Sequence, residues 1–576
     1  MIAHSLLFTF SFSPKIIEAA VFDAPDVPSL ISAINTANSN LDPSNTINLS
    51  SNATYDLTAV DNVTSGPNGL PSITSTMIIN GNGSSLVRGG GAPDFRFFHI
   101  ASSGDLELND MTLTGGDPGI NSAGAIFINQ GELRLNGSLV TGNTAAKGGA
   151  IFNFSGTLGI ASSTLSGNSA TSGSNDGGAI LIQGSGSMTV ITDTTLDDNH
   201  ATNGGGGAIY SEGSVNMSDS TISRNTSNTV GGAWWGGGSG IVWNISNSTI
   251  SGNSAGTNGG AFFIDSATVN LNNVTLTNNM AINGEAGGIN SQNAGNVVTL
   301  RNTILAKNID QDDNGTPDCR SSVGSALLSA GFNILGDDSG CSFTGMNGVN
   351  GDQVGTPPDL IDPLLDPLSN YGGPTETHRL QNGSPAINAG NDVVGCQDQA
   401  GTDLTTDQRL FPRPGIPGGR CDIGAFEAQA PTADLSSTAL NFGDQATGTD
   451  SAVQSITMTN NGELPLDITS IDISGPFSLT HDCGTTLAPG ASCTLSVIFQ
   501  PTAIGAASGE ITINDNAQDS PQKIALSGNG VASGTINLQG GACSLGKGIS
   551  PQFLISSLAL VLLTLFVLRF RLFRKH

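Results

Sequence analysis

Basic side chains are scarce: 19 Lys and Arg stand against 47 Asp and Glu in 576 residues, a formal net charge of -28. That balance argues against nucleic acid and anionic lipid as partners of the chain's body and favours cations, calcium first. Charged residues make up only 11% of the chain, and Lys, Glu and Arg are nearly missing from its middle, so stacked helical repeats are excluded. Aromatics amount to 5%, with three Trp and three Tyr, which leaves few platforms for stacking on a sugar. No apolar run long enough to span a membrane occurs before residue 553. Gly is what the chain has in quantity, 78 in all, and its length asks for several domains.

Those glycines are periodic between residues 121 and 310. Ala123-Gly-Ala-Ile, Gly148-Gly-Ala-Ile, Gly177-Gly-Ala-Ile, Gly206-Gly-Ala-Ile, Gly231-Gly-Ala-Trp, Gly259-Gly-Ala-Phe and Gly287-Gly-Ile follow one another at steps of 25 to 29 residues. A unit of that size buries its apolar face only by stacking on its neighbours, which is the mark of a solenoid. Leu133, Leu158, Val215, Trp243, Val269 and Val298 each have an apolar partner seven residues on, and a second inward residue at plus two. Period-two apolar positions separated by Thr and Ser read as short strands. Three residues after the last apolar position of each unit stands an Asn, at Asn143, Asn168, Asn199, Asn225, Asn253, Asn279 and Asn308. Such corners tolerate left-handed backbone, and stacked Asn side chains hydrogen-bond from coil to coil. The expected fold class is all-β: a right-handed parallel β-helix with coils about 4.8 Å apart. The repeats resemble those of polymorphic outer membrane proteins in their Gly-Gly-Ala-Ile half, whereas that family's Phe-x-x-Asn half is missing.

Ahead of the repeats, residues 1–20 are an atypical candidate signal peptide: Leu6 to Phe12 is apolar, but a basic leader is lacking. Apolar residues at Leu30, Ile31, Ile34 and Ala37 behind Pro28 and Ser29 predict an amphipathic helix that caps the coil stack. The β-helix is thus expected over 21–310.

Past residue 310, Asp310, Asp312, Asn314, Thr316 and Asp318 place oxygen ligands around Gly315 with the spacing of a calcium loop, although its last position is Ser321 and not Glu. Two readings stand: a solvated acidic turn, or a structural calcium ion. The seven cysteines pair by proximity as Cys319 with Cys341, Cys396 with Cys421 and Cys483 with Cys493, leaving Cys543 alone. None has the close doublet spacing of a zinc site, and disulfides suit an exported chain.

The stretch from Asp362 to Glu427, with Tyr371-Gly-Gly-Pro, Gly383-Ser-Pro-Ala-Ile-Asn-Ala-Gly, Asp407-Gln-Arg409 and Cys421-Asp-Ile-Gly-Ala-Phe-Glu, resembles the choice-of-anchor Q domain. The resemblance covers 311–428 and implies a segment that closes the C-terminal end of the β-helix. Asp407, Arg409, Arg413, Arg420, Asp422 and Glu427 read as an ion-pair network fixing that segment. After a linker at 429–433, residues 434–530 alternate apolar residues with Thr and Ser at sandwich spacing. They resemble the choice-of-anchor D module, which implies an immunoglobulin-like sandwich and a spacer or protein-binding role. A Gly- and Cys-containing linker at 531–552 leads to an expected transmembrane helix at 553–568 and a basic cytoplasmic tail at 569–576. Gly540, Gly541 and Cys543, the apolar run and the Arg-rich tail together resemble bacterial C-terminal sorting signals. That implies processing or lipidation at Cys543 by an envelope protease or transpeptidase, and the alternative is a permanent single-pass anchor.

Two functional classes remain. A calcium-dependent polysaccharide lyase or hydrolase acting on acidic glycans needs clustered carboxylates with a cationic partner, and Asp197, Asp198 and His200 are the one suggestive cluster in the repeats. They share a turn position with Ser166-Gly167-Asn168, so a solvated turn serves as well. The other class is a non-enzymatic, adhesin-like protein of the cell envelope or surface, binding an extracellular glycan or protein. Of the three Trp, Trp243 and Trp234 fall on core positions, whereas Trp235 points outward and is the candidate for glycan stacking.

Overall fold

The computed structural model describes residues 20–40, 42, 44–173, 176–184, 186–312, 315–391, 396–397 and 401–534. Residues 1–19 of the candidate signal peptide, Asn314, the motif Gly540, Gly541 and Cys543, and the apolar run 553–568 lie outside those residues. Among the described residues no helix is long and apolar enough to cross a membrane.

The chain is a parallel β-solenoid of about 11 turns followed by an immunoglobulin-like domain. Strand Val21–Ala24 opens the stack and helix Val27–Ser39 closes its first end. Asp26 caps that helix by accepting from Ser29 N at 2.9 Å, and Leu30, Ile34 and Ala37 are buried in a core shared with Ile47 and Leu49. The predicted strands are present and stack in register: Ile126–Asn129, Ile151–Phe154, Ile180–Gln183, Ile209–Ser211, Trp234–Gly236, Phe262–Ile264 and Ile289–Ser291 form one parallel sheet.

The motif's second glycine holds the coils together at closest approach. A Cβ on Gly207 would lie 2.0 Å from the carbonyl oxygen of Gly232 in the next coil. The glycine before it turns the corner with positive φ, and Ala123 and Ala286 adopt the same conformation at the two ends of the series. The last motif is therefore offset by one residue from its sequence alignment, with Ala286 at the corner.

Two further corners carry ladders of inward polar groups. At the predicted one, each Asn donates its side-chain amide to the next Asn: Asn143 to Asn168 at 3.0 Å, then Asn199, Asn225, Asn253, Asn279 and Asn308 at 2.9 Å each. The residue before each Asn is left-handed, even where it is Asp198, Arg224 or Lys307. The other corner stacks Ser138, Ser163, Thr194, Ser220 and Ser248, each hydroxyl accepting the backbone N–H of the preceding coil.

The coils extend beyond the repeat in both directions. Strands Asn45–Leu49, Thr76–Arg88 and Asp105–Thr114 precede it, and Ala326–Ser329, Ile334–Leu335 and Gln353–Val354 follow it in the same parallel sheet. From there the path departs from the expected end cap. The chain turns back and lies along one flank of the solenoid, over strands Thr221–Ser223, Thr249–Ser251, Thr275–Thr277 and Ile304–Ala306. Gln408 bridges Thr221 and Thr249 at 2.9 and 2.6 Å, Asn247 Nδ2 donates to Thr406 O, and Thr275 Oγ1 accepts from Ala425 N. Ile304, Ala306, Leu380, Ile423 and Phe426 form a second apolar core beneath this strap. The reason is chemical: Thr and Ser on that flank offer hydroxyls to the Gly- and Pro-rich backbone, and Ile304 and Ala306 place apolar surface outward where earlier coils have Thr195 and Asp197.

The predicted charged network is buried under the strap. Arg409 pairs with Asp407 at 2.9 Å and with Glu463, its guanidinium 3.6 Å above the Phe426 ring, and Arg413 pairs with Glu427 at 3.0 Å. Arg420 stands apart and donates to Gly390 O. The sandwich that follows packs sheets of four and five strands around Ile456, Leu495, Phe499, Ile511 and Ile524. The three disulfides form as paired by proximity, Cys319–Cys341, Cys396–Cys421 and Cys483–Cys493.

Candidate functional site

Strands in strict register place equivalent residues one above the other. On the sheet begun by each Gly-Gly-Ala-Ile corner, the residue after the inward Ile faces out, and successive coils set His99, Phe127, Phe152, Leu181, Tyr210, Trp235, Phe263, Asn290 and Arg320 in one column. Phe127 and Phe152 stack at 5.0 Å between centroids, Tyr210 meets Trp235 edge-on at 4.9 Å, and Trp235 meets Phe263 at 6.4 Å. Phe127, Phe152, Trp235 and Phe263 are half-buried, each keeping part of its ring surface open, and Phe154 beside Phe152 is exposed. Trp234 and Trp243 lie in the core, 4.6 Å apart, so the outward role falls to Trp235 as its alternation predicts. The sequence reading found Trp235 alone. Phe127, Phe152, Tyr210 and Phe263 were legible from the same repeat alignment, since each follows the last inward residue of its motif, Ile126, Ile151, Ile209 and Phe262.

At Tyr210 the column borders an open cavity of about 570 Å³ whose lining also includes Glu212, Gly237, Gly238, Ser239 and Asp265. Tyr210 donates its hydroxyl to Glu212 Oε1 at 2.8 Å, and Asp265 accepts from Asn293 Nδ2. Burial, with the carboxylates of Glu212 and Asp265 nearby, holds the Tyr210 phenol above its usual range.

Of the calcium-loop residues, Asn314 lies outside the described ones, and of the rest only Asp310 and Thr316 meet. Asp310 Oδ2 accepts from Thr316 N and Oγ1 at 3.4 and 3.1 Å, and Asp312 is exposed. Asp318 turns inward: its Oδ1 accepts both N–H groups of Asn308 and its Oδ2 accepts Asp337 N at 2.8 Å. Asp318 therefore leaves the ligand set that the spacing defined, and the described donors do not fit a calcium ion. Among the described residues only Asp482, Cys483 and Cys493 approach as closely as metal ligands, and both cysteines are in a disulfide.

The suggestive turn cluster is likewise engaged. Asp197 pairs with Arg224 at 2.7 Å and accepts Ser223 Oγ at 2.8 Å, Asp198 forms the left-handed corner, and His200 Nδ1 meets Thr226 Oγ1. Its groups link neighbouring coils.

Comparison with known proteins touches the C-terminal domain. No curated protein matches the chain. A Porphyromonas gingivalis W83 protein of unknown function is 25% identical over 18% of this chain and 48% of its own, with a TM-score of 0.16, so the match spans about half of that protein. PapD-like domain 7 of human CEP192 is 11% identical over 18% of this chain and 89% of its own, TM-score 0.16. The VesB protease of Vibrio cholerae is 19% identical over 17% of this chain and 31% of its own, TM-score 0.15. The Ig-like domain family described as HYDIN/CFA65/VesB-like matches residues 431–529, which is the sandwich.

Proposed function

We propose that the chain is a non-enzymatic, adhesin-like protein of the bacterial cell envelope or surface, whose solenoid presents the aromatic column to an extracellular glycan. The observation that carries this reading is the outward column itself, in which Phe127 and Phe152 occupy two neighbouring coils and Trp235 and Phe263 two more, with the buried Leu181 and Tyr210 between the pairs. Flat ring faces bind the C–H faces of sugars, and a regular array suits an extended polymer better than a single monosaccharide. The charged groups that would serve catalysis are instead engaged between coils, as Asp197 is by Arg224, or sealed under the strap, as Arg409 and Arg413 are. The Ig-like domain serves as spacer or protein-binding module. Export is part of the proposal, as are the choice-of-anchor resemblances of 311–428 and 434–530, the handling of Gly540, Gly541 and Cys543 by a sorting protease or transpeptidase, and membrane insertion through 553–568.

The test is a glycan array probed with the full chain. Retained ligands whose binding weakens about tenfold in Trp235→Ala, the loss of roughly one aromatic contact, support the column. Release of reducing or unsaturated ends from uronic-acid polymers in the presence of calcium would replace it with a lyase or hydrolase. Surface labelling of cells carrying the wild-type chain or Cys543→Ala tests the anchoring, and an unchanged distribution removes Cys543 from it.

A further inference from the structure

An Asn followed by Gly is chemically reactive: the glycine nitrogen, with no Cβ beside it, can reach the carboxamide carbon of the Asn when both groups are free. The chain carries this dipeptide in the solenoid, the strap and the Ig-like domain, and hydrogen bonds engage it at several places. Gly137 N and Gly259 N donate to the next coil, at Ala161 O and Glu285 O. In the Ig-like domain Asn461 Nδ2 donates to Asp434 and Gly462 N to Asn460 Oδ1. Among the described residues two such pairs are exposed at both positions, Asn347-Gly348 and Asn382-Gly383. In the first, Gly348 N donates to Asp352 O at 2.8 Å and Asn347 Oδ1 accepts from Val354 N at 3.3 Å. In the second neither group is engaged: the Asn382 side chain and Gly383 N have no hydrogen-bond partner among the described residues. Gln381 N donates to Leu364 O and Ser384 N to Gln381 O, at 2.9 Å each, so the turn is pinned at its ends and open at its tip. A Cβ on Gly383 would meet nothing within 4 Å.

From this arrangement we infer that Asn382 is a site of spontaneous deamidation in the folded chain, through a succinimide formed with Gly383. The Gly383 nitrogen gives up its proton to solvent and bonds to Asn382 Cγ. The Cγ–Nδ2 bond then breaks, and the amide nitrogen takes a proton from solvent and leaves as ammonia. Water opens the five-membered ring at either carbonyl. Attack at the Asn382 backbone carbonyl leaves the main chain running through Cγ, as isoaspartate, and attack at Cγ leaves ordinary aspartate. No group changes oxidation state, and water is the only co-reactant. Either product carries a negative charge where Asn382 had none. Asn382 lines a cavity of about 570 Å³ between the strap and the Ig-like domain, with Ile416, Leu464 and Asp467, and Asp467 is the one charged residue of that lining among the described residues. Deamidation therefore sets a second carboxylate at the joint between the two parts.

The experiment incubates the full chain at mildly alkaline pH, natively and in urea, and follows each Asn-Gly pair by peptide mapping with isoaspartyl methyltransferase labelling. Asn347-Gly348 is the internal control, since it is the same dipeptide, equally exposed, with its groups hydrogen-bonded. The expected result is label at residue 382 severalfold ahead of residue 347 in the native chain, and comparable label at both in urea. The variant Asn382→Gln, whose longer side chain would have to close a six-membered ring, is expected to keep the wild-type thermal midpoint and to lose the label from this turn. Native label at residue 347 as early as at residue 382 overturns the inference, as does a residue 382 that reacts only in urea. Label that persists in the same peptide of Asn382→Gln also overturns it, because the reacting group then lies elsewhere.

Discussion

Asn308 donates its backbone N–H and its side-chain amide to the same oxygen, Asp318 Oδ1, at 3.0 and 2.9 Å, so the seven-Asn ladder ends on an aspartate. Each amide in that ladder donates forward to the next coil and also back to a carbonyl of the coil before it, as Asn199 Nδ2 does to Asn225 Oδ1 and to Leu165 O at 2.9 Å each. The second ladder ends alike: Asn333 gives both N–H groups to Asp352 Oδ1 at 3.0 Å. The two ends differ in their other oxygen. Asp318 Oδ2 accepts from a backbone N–H, that of Asp337, whereas Asp352 Oδ2 meets the Ser329 hydroxyl, which can turn. Asp318→Asn sets an amide N–H against the Asp337 N–H and is expected to cost about 1–3 kcal/mol. Asp352→Asn costs less, and the difference in first thermal transition between the two variants checks the assignment.

The acidic groups buried here reverse the usual pH dependence. Burial pushes Asp318 up to about 7, and burial with the adjacent Glu427 charge raises Asp422, while burial also raises Glu427 itself. In the unfolded chain these groups ionise near pH 4. Between that value and neutrality the folded form binds more protons than the unfolded one, so stability falls as the pH rises, by about 1.4 kcal/mol per pH unit for each retained proton. Buried His99, lowered to about 4, and His378, lowered by burial, act the opposite way below the usual histidine range, so unfolding followed at about pH 6.5 and about pH 8 should show the higher midpoint at the lower pH. Asp422→Asn removes one of the raised carboxyls and should flatten the slope, and a midpoint that climbs with pH contradicts the account.

The repeat made the solenoid legible because its requirements are local: a glycine where coils touch, an apolar residue every second position, an Asn at one corner. The Ser and Thr corner went unseen since its signal is spread over Ser138, Thr194 and even Val274, any of which fits the site. The early coils lie within the span expected from residue 21, but their repeat motif is not readable because Arg96 and Phe97 stand where the next coil has Gly124 and Ala125. The strap's direction depends on contacts across more than a hundred residues, such as Gln408 with Thr249, and no pattern within the strap encodes them. Trp235 was found by alternation, whereas the cavity at Tyr210 needs three coils at once.

Glycine at the coil contact is a steric demand, distinct from glycine at a turn. Gly207→Ala drives a methyl to 2.0 Å from Gly232 O, with backbone atoms on the other side as well, and should cost about 3 kcal/mol by overpacking. Gly137→Ala meets open space and strains only a φ of 56°, at about 1 kcal/mol. Chemical unfolding of the two variants separates the causes. Equal losses would mean that conformation, and not contact, selects the glycine.

Arg409 joins the strap to the Ig-like domain. Its guanidinium reaches Asp407 within the strap, Glu463 in the Ig-like domain and the carbonyl of Glu427, between the rings of Phe426 and Phe411 at 3.6 and 4.3 Å. Removing the cation leaves Asp407 fully buried without it, and a broken buried pair costs about 3–5 kcal/mol. Arg409→Ala should therefore open the strap to proteolysis between residues 357 and 430 while the β-sheet signal of the solenoid persists, because the Asn ladder and sheet register do not involve it. Arg409→Lys fails to rescue, since an ammonium cannot address Asp407, Glu463 and a carbonyl from one plane. Glu463→Gln keeps the Asp407 pair and loosens only the strap's tie to the Ig-like domain, so protection of 357–430 in this variant, against cleavage in Arg409→Ala, identifies the buried pair inside the strap, and not the tie to the Ig-like domain, as what keeps the strap folded.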